Sequence, residues 1–202
     1  MVRCETVTDS PANRATTSLR FCVLVNRLFT IENFARVPDG TLVAPFLNAK
    51  DSNSSLPTDL LDDFSIAAGI IEARVSSKIH VMPAVTQVTF VLHGSLEIRM
   101  KDPSSNAPYS QFIVPHQAVL TRPGSFFQLI NHSTDTPCQV LYIVSPAYVF
   151  LLAPDGSLVY DDAVVLDEDW QDLAAASWQP SALPSPQNSF SRRAAALRQL
   201  IR

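Results

Sequence analysis

Between residues 69 and 150 the apolar positions come in short runs that alternate with polar ones, and turn-forming residues separate the runs. The stretches GIIEARVSSKIHVMP, VTQVTFVLHGSLEIRMKD, YSQFIVPHQAVLTRPGSFFQLINHS and CQVLYIVSPAYVF are rich in Val, Ile, Leu, Thr, Phe and Tyr, with Gly, Pro, Asn, Asp or Ser between them. Runs of this kind at regular spacing predict an all-β sandwich or small barrel. Period-two alternation assigns the faces of each strand. In QVTFVLH, Gln87, Thr89 and Val91 point one way and Val88, Phe90 and Leu92 the other. The second set is wholly apolar and is expected to pack against a second sheet or a partner subunit. In KIHVMP, His80 and Met82 share a face with Lys78, and in FFQLIN Phe127 and Leu129 share a face with Asn131. MKDPSSNAPYS at 100–110 reads as a hairpin loop.

The flanks read differently. Residues 1–18 are polar, a flexible N-terminus. Residues 19–68 form an N-terminal arm and loop: a strand and helical turn over 19–37, a PDG turn at 38–40, the short strand TLVAPFL, a polar loop at 48–59 and a helical turn at LLDDF. The barrel itself is expected over 69–166. Within it, LLAPDGSLVY predicts a hairpin turning at Asp155 and Gly156. The remainder, 167–202, is a helical extension with a Pro/Ser linker. Its first helix starts at Asp167, with acids in the first turn where they favour the helix dipole. Its last helix, FSRRAAALRQLIR, sets Phe190, Leu197, Leu200 and Ile201 against four arginines.

Composition narrows the function classes. A chain of 202 residues that is 47% hydrophobic has material for one domain with extensions. A net charge of −4 without a large basic block argues against nucleic acid as a partner. Cys4, Cys22 and Cys138 are odd in number and widely spaced, which fits a reducing compartment better than a disulfide framework. No stretch has the length of a secretory signal or a membrane span, so the expectation is a soluble cytoplasmic protein that does not bind membranes. There is no Gly-x-Ser-x-Gly elbow, P-loop, Rossmann fingerprint or His-Glu-x-x-His, and nothing points to a nucleophilic triad.

Two stretches inside the strand region resemble the paired motifs of the cupins. The first motif, Gly, His-x-His, Glu and Gly at fixed spacing, falls on Arg74, His80, Met82, Gln87 and Gly94. The second, Gly, Pro-x-Gly, His and Asn, falls on His116, Arg122, Gly124, Phe127 and Asn131. The spacing is kept throughout, and the identities are kept at His80, Gly94, Gly124 and Asn131. The resemblance implies a double-stranded β-helix, the cupin jelly-roll barrel, with an N-terminal strand arm, short C-terminal helices and a ligand cavity inside the barrel. It also implies a homodimer. In metal-dependent cupins His, His, Glu and His hold one divalent transition metal. Here those positions are His80, Met82, Gln87 and Phe127. The metal ligands left are His80 and Gln87, with Met82 as a soft third, while a mononuclear site normally needs three good protein ligands.

The resemblance implies one of three functions. The first is a small-molecule cupin that transforms an organic substrate, either through a metal or, as in the sugar-epimerase branch, with His80 as the catalytic general base. Its ligand-binding residues are His80, Met82, Gln87, Thr89 and Phe127. The second is a ligand-sensing barrel without chemistry. The third is a metal-free homodimerisation platform, and RPGSFFQLINHS is similar to a segment of the centromere protein C cupin. Outside the motifs the residues read as structural. His93, His116 and His132 sit at turns, Tyr142, Tyr148 and Tyr160 are expected as barrel or interface aromatics, and Glu97 and Arg99 as a cross-sheet pair.

Overall fold

The computed structural model describes residues 29–48, 64–105, 107–147, 150–152, 158–160 and 163–178, with Ala195, Ala196 and Gln199. Thirteen strands follow in order: β1 (Ala35–Arg36), β2 (Leu42–Leu47), β3 (Ser65–Ile71), β4 (His80–Val81), β5 (Thr86–His93), β6 (Leu96–Lys101), β7 (Tyr109–Ile113), β8 (Ala118–Thr121), β9 (Phe126–Ile130), β10 (Cys138–Ser145), β11 (Phe150–Leu152), β12 (Leu158–Tyr160) and β13 (Val164–Val165). The PDG turn, the strand after it and the strands of the LLAPDGSLVY hairpin stand where the sequence places them, while the loop expected over 100–110 is shorter, since Met100 and Lys101 end β6 and Tyr109 and Ser110 begin β7.

Two sheets carry the fold. One has the order β1-β2-β3-β10-β5-β8, the other β13-β4-β9-β6-β7. All pairings recorded in them are antiparallel. The order has a simple origin. β3 pairs with β10, β4 with β9, β5 with β8 and β6 with β7. The chain therefore runs out from β3 to β6 and returns alongside itself from β7 to β10 as one long ribbon. The ribbon is then wound so that β10 also meets β5 and β9 also meets β6. That winding is the double-stranded β-helix, the jelly-roll solution to packing two antiparallel sheets.

The main core lies between the sheets. Val91 and Val140 from one meet Ile98, Met100, Phe127 and Leu129 from the other, all buried. On β5 the inward face is Gln87, Thr89 and Val91. The wholly apolar set Val88, Phe90 and Leu92 does not meet the second sheet: it lies on the outer face, with Leu92 exposed.

A second cluster covers the outside of the other sheet. Val81 and Phe126 pack there against Val164, Leu166, Trp170, Leu173 and Trp178. The helix expected from Asp167 is absent. Residues 170–175 form turns, with the Asp169 carboxylate capping the amides of Gln171 and Asp172 at 2.7 and 3.1 Å. Trp170, Leu173 and Trp178 all lie buried against the sheet. Of the last expected helix only Ala195, Ala196 and Gln199 are described, and they are helical. The strand expected before residue 29, the loop at 49–59, the turn at Asp155 and Gly156 and the Pro/Ser linker lie outside the described residues. Among the described residues no helix is long and apolar enough to cross a membrane.

Candidate functional site

Between the sheets is a cavity of about 30 Å³ for the centre of a water molecule, room for one or two waters. Its walls are largely apolar, including Val43, Met82, Leu129 and Val144, and its polar edge is Asp39, Ser65, His80, Gln87 and Tyr142. Each polar side chain is placed by strand alternation or by a turn. Gln87 and Thr89 are on the inward face of β5, with Thr121 of β8 directly opposite Gln87. Tyr142 is on the inward face of β10, opposite Thr89. His80 is on β4, opposite Phe127 of β9.

His80 is held on both sides. Its Nδ1 lies 3.0 Å from the Lys78 carbonyl. A carbonyl only accepts, so Nδ1 carries the proton and Nε2 is free to face the cavity. There Nε2 lies 3.7 Å from Asp39 Oδ2, and both side chains are buried. The Phe127 ring backs the imidazole at 3.9 Å between centroids, tilted by 56°. Asp39 comes from the turn between β1 and β2. Its Oδ1 accepts the Thr41 amide and hydroxyl, both at 2.8 Å, which leaves Oδ2 for His80. The Asp39 carbonyl accepts the Lys78 amide at 2.7 Å and so ties the turn to the residues before β4. Lys78, expected on the face of His80, precedes the strand and its pleat; its ammonium reaches Asp167 at the surface, 2.7 Å away.

Two further groups are unusual. The Tyr142 hydroxyl is buried with no hydrogen bond of ordinary geometry, though the Thr41 hydroxyl lies close enough to oppose the rise in its ionisation. Burial first, and then the nearby Asp39 carboxylate, push its ionisation well above the usual phenol range, so it stays a neutral donor. Its ring fills the space over Gly69, where a Cβ would stand 2.3 Å from the ring. Thr121 Oγ1, across from Gln87, is also buried without a partner. A group left in that state costs about 1–3 kcal/mol.

The motif placement can be checked on the backbone. Four positions in the two motifs are glycine in the family pattern, because the chain turns there. In this chain they are Arg74, Gly94, His116 and Gly124, with φ of 62°, 81°, 70° and 84°. All four are left-handed, although two carry side chains that disfavour it. Together with the winding of the ribbon this decides the fold.

The chain has the cupin fold.

Of the four cupin metal positions, His80, Met82 and Gln87 line the cavity, and Phe127 stands behind His80. The donors do not fit a cupin metal. Gln87 Nε2 donates to Thr89 Oγ1 at 3.1 Å, one oxygen of Asp39 is taken by Thr41, and a phenyl ring fills the fourth position. Among the described residues no three of His, Cys, Asp and Glu gather into a group that could hold an ion. Asp39 and Tyr142 are the two residues the sequence reading missed. Asp39 was hidden in an ordinary turn signal. Tyr142 had a signal: it shares the buried face of its strand with Cys138, Val140 and Val144.

Among the described residues the remaining titratable groups do not line the cavity. His93 and His116 are exposed, and His132 is paired with Glu97 at 2.5 Å. Burial of Glu97 works against its charge, but hydrogen bonds from Ser110 and His132 outweigh it and hold the carboxyl below its ordinary value. Arg99 lies over the Trp170 ring at 5.2 Å rather than pairing with Glu97 across the sheet. Burial pushes the Cys138 thiol up to about 11, which leaves it without nucleophilic character at neutral pH.

No family model and no curated protein matches the chain. Among solved structures it is similar to KdgF from Halomonas sp., at 12% identity and a TM-score of 0.46, over 60% of this chain and 94% of that one. It is also similar to CapF, solved with the inhibitor 3-isopropenyl-tropolone, at 13% and 0.48, over 71% of this chain and 35% of that one. A third likeness, at 12% and 0.45, is to the Drosophila melanogaster CENP-C cupin domain, over 56% of this chain and 70% of that one.

Proposed function

We propose that this chain is a small-molecule cupin that binds an organic ligand in its cavity and moves a proton on it, with His80 as base. One observation carries the reading. The His80 imidazole and the Asp39 carboxylate face each other at the cavity, Nε2 and Oδ2 3.7 Å apart, beside the Tyr142 hydroxyl, which makes no hydrogen bond of ordinary geometry. A ligand placed there would meet a ring nitrogen backed by a carboxylate and a hydroxyl donor. His80 takes a proton from the ligand at Nε2, and the adjacent carboxylate stabilises the imidazolium that forms, while Nδ1 stays anchored on the Lys78 carbonyl. Charge left on the ligand oxygen is met by the Tyr142 hydroxyl, which donates a hydrogen bond and keeps its own proton. No step runs through a metal, because the donor set does not fit one.

The test is ligand binding followed on the ligand's own signals by NMR. Wild type is expected to show saturable shifts that His80→Ala and Tyr142→Phe both lose, with folding of each variant verified by near-UV circular dichroism. Ligands that bind equally well without either side chain sink the reading.

A second reading has its own observation. The outer face of the six-stranded sheet exposes Leu92, Leu120 and Ile143 at 42%, 56% and 37%. Val88 and Leu120 are direct neighbours there, as are Val88 and Ile143. A second copy of the chain set against this face would make the homodimer that the fold resemblance implies. Sedimentation of wild type and Leu120→Asp tests it: a dimer lost in the variant supports it, and a monomeric wild type removes it.

A further inference from the structure

We propose that the chain binds an extended, uncharged peptide segment of another protein by taking it up as an extra strand on β7. Each of the two main sheets has two edges, and the fold guards one end and leaves the other open. At one end stand β1 and β13, short strands of two residues each, and β1 carries Arg36. Very short strands and charges are usual means of keeping an edge from pairing with a foreign chain. At the other end stand β7 and β8, of five and four residues. Their sequences, YSQFI and AVLT, hold no charge and no proline. Their pairing with β6 and β5 runs without a bulge. Among the described residues no strand pairs with the free side of either. Tyr109, Ser110, Gln111 and Phe112 are all exposed, Phe112 at 71%.

Between these two edges lies an open groove of about 660 Å³, which shares no lining residue with the His80 cavity. Met100, Ile113 and Val119 are its buried members, Gln111 and Gln117 its exposed amides, and none of its lining side chains is charged. Backbone chemistry calls for a strand here. The N–H and C=O groups of an antiparallel strand serve its two neighbours alternately, so an edge strand leaves part of them unpaired. An added strand takes them up, and its alternate side chains then point into the groove over Met100 and Val119. Charge matches as well: an apolar side chain enters an uncharged groove at a gain, and an ionised one loses its water there without a partner. A second copy of the barrel fits poorly. The inward side chains of its own edge strands, Ile113 on β7 and Val119 and Thr121 on β8, are already buried in its core, so edge-to-edge pairing leaves the groove unfilled. A segment that belongs to no sheet keeps those side chains free. The five residues of β7 extend over about 17 Å, which sets the segment at about five or six residues with apolar side chains at every second position.

The probe is the capped peptide acetyl-Gln-Val-Thr-Leu-Ser-Val-amide, added to the isotope-labelled full chain and followed by NMR. Two relatives of it serve as controls: one with Glu in place of Val and Leu, and a pair N-methylated on one or the other alternate set of amides. The expected result is saturable shifts in β7 and β8, slower amide exchange at alternate residues of β7, and no response to the Glu peptide. Methylation of one alternate set should abolish binding and methylation of the other should spare it. Gln111→Lys, at an exposed position, should weaken binding at least tenfold with an unchanged melting temperature. No binding of the neutral peptide overturns the proposal. So does binding away from β7, or binding that tolerates methylation of either set. A wild-type dimer in sedimentation that Gln111→Lys dissociates also overturns it, and gives the edge to a second copy.

Discussion

His80 and Val81 are neighbours in the chain and face opposite ways from the same two-residue strand. His80 looks into the cavity between the sheets, and Val81 looks out under the cover formed by residues 163–178. Both sides bury polar groups, and they treat them differently. Under the cover the groups mostly find partners. The Lys101 ammonium, fully buried, bonds to the Ala176 carbonyl and lies 5.3 Å from the Phe126 ring. The Trp170 indole donates to Gln128 at 2.8 Å, and Gln128 donates to the Ser77 carbonyl at 2.7 Å. The Trp178 indole nitrogen is the exception. Inside the cavity Asp39, His80 and Gln87 also have partners, but the Tyr142 hydroxyl does not, and the buried His80 ring stands 3.7 Å from the buried Asp39 carboxylate. Stability alone would select against that arrangement, since apolar side chains of the same shape would fill it at lower cost. The cover reads as structure, and the cavity is where we propose a ligand.

The largest effect expected is on the structural side. Trp178→Ala removes a buried indole that packs over Gly124, and should cost about 3–5 kcal/mol in chemical denaturation while ligand shifts at His80 persist. Loss of binding in a folded Trp178→Ala would break the separation of the two sides. Gly69→Ala comes next. The new methyl meets the Tyr142 ring, so about 1–3 kcal/mol of stability and the ligand response should both be lost.

Tyr142→Phe should move stability the other way. It deletes an unpartnered hydroxyl, so the melting temperature should rise, by the equivalent of about 1 kcal/mol, as binding falls. Phe127→His probes the register of the motifs. An imidazole opposite His80 and near Asp39 should raise zinc or nickel affinity well above wild type in calorimetry, and an unchanged affinity would count against the motif alignment. The smallest effect is at the surface. Glu97 ionises below its ordinary value of 4.5, so its contact stabilises the fold fully above that pH and is lost as acid titrates the lowered carboxyl. Glu97→Gln should lower stability at neutral pH by about 0.2–1 kcal/mol, leave it nearly unchanged at low pH, and so flatten the acid limb of the stability curve.

Much of the fold was legible because strand alternation and turn chemistry are local. Period two set Gln87, Thr89 and Val91 on one face, but that this face turns inward came from the motif resemblance, since the pattern alone favoured burying Val88, Phe90 and Leu92. The left-handed turns at Gly94 and Gly124 followed from residue type, and those at Arg74 and His116 from spacing only. His80 was legible for the same reason. Asp39 was not: a PDG turn signals its own backbone and says nothing about which distant strand its carboxylate will face. Tyr142 was partly legible, as a polar tip on a buried face, but its missing partner is a property of the assembled interior. The cover was misread because Asp169 supplies a true helix-capping signal for one turn, and the two tryptophans then bind the segment flat to the sheet.

The central claim is that the cavity is unsatisfied because a ligand satisfies it, and Tyr142→Phe tests this most directly when melting temperature and ligand binding are measured on one preparation. The expected result is a higher melting temperature and lost ligand binding. A variant that binds ligand as wild type does, or that is destabilised by loss of the hydroxyl, would contradict it.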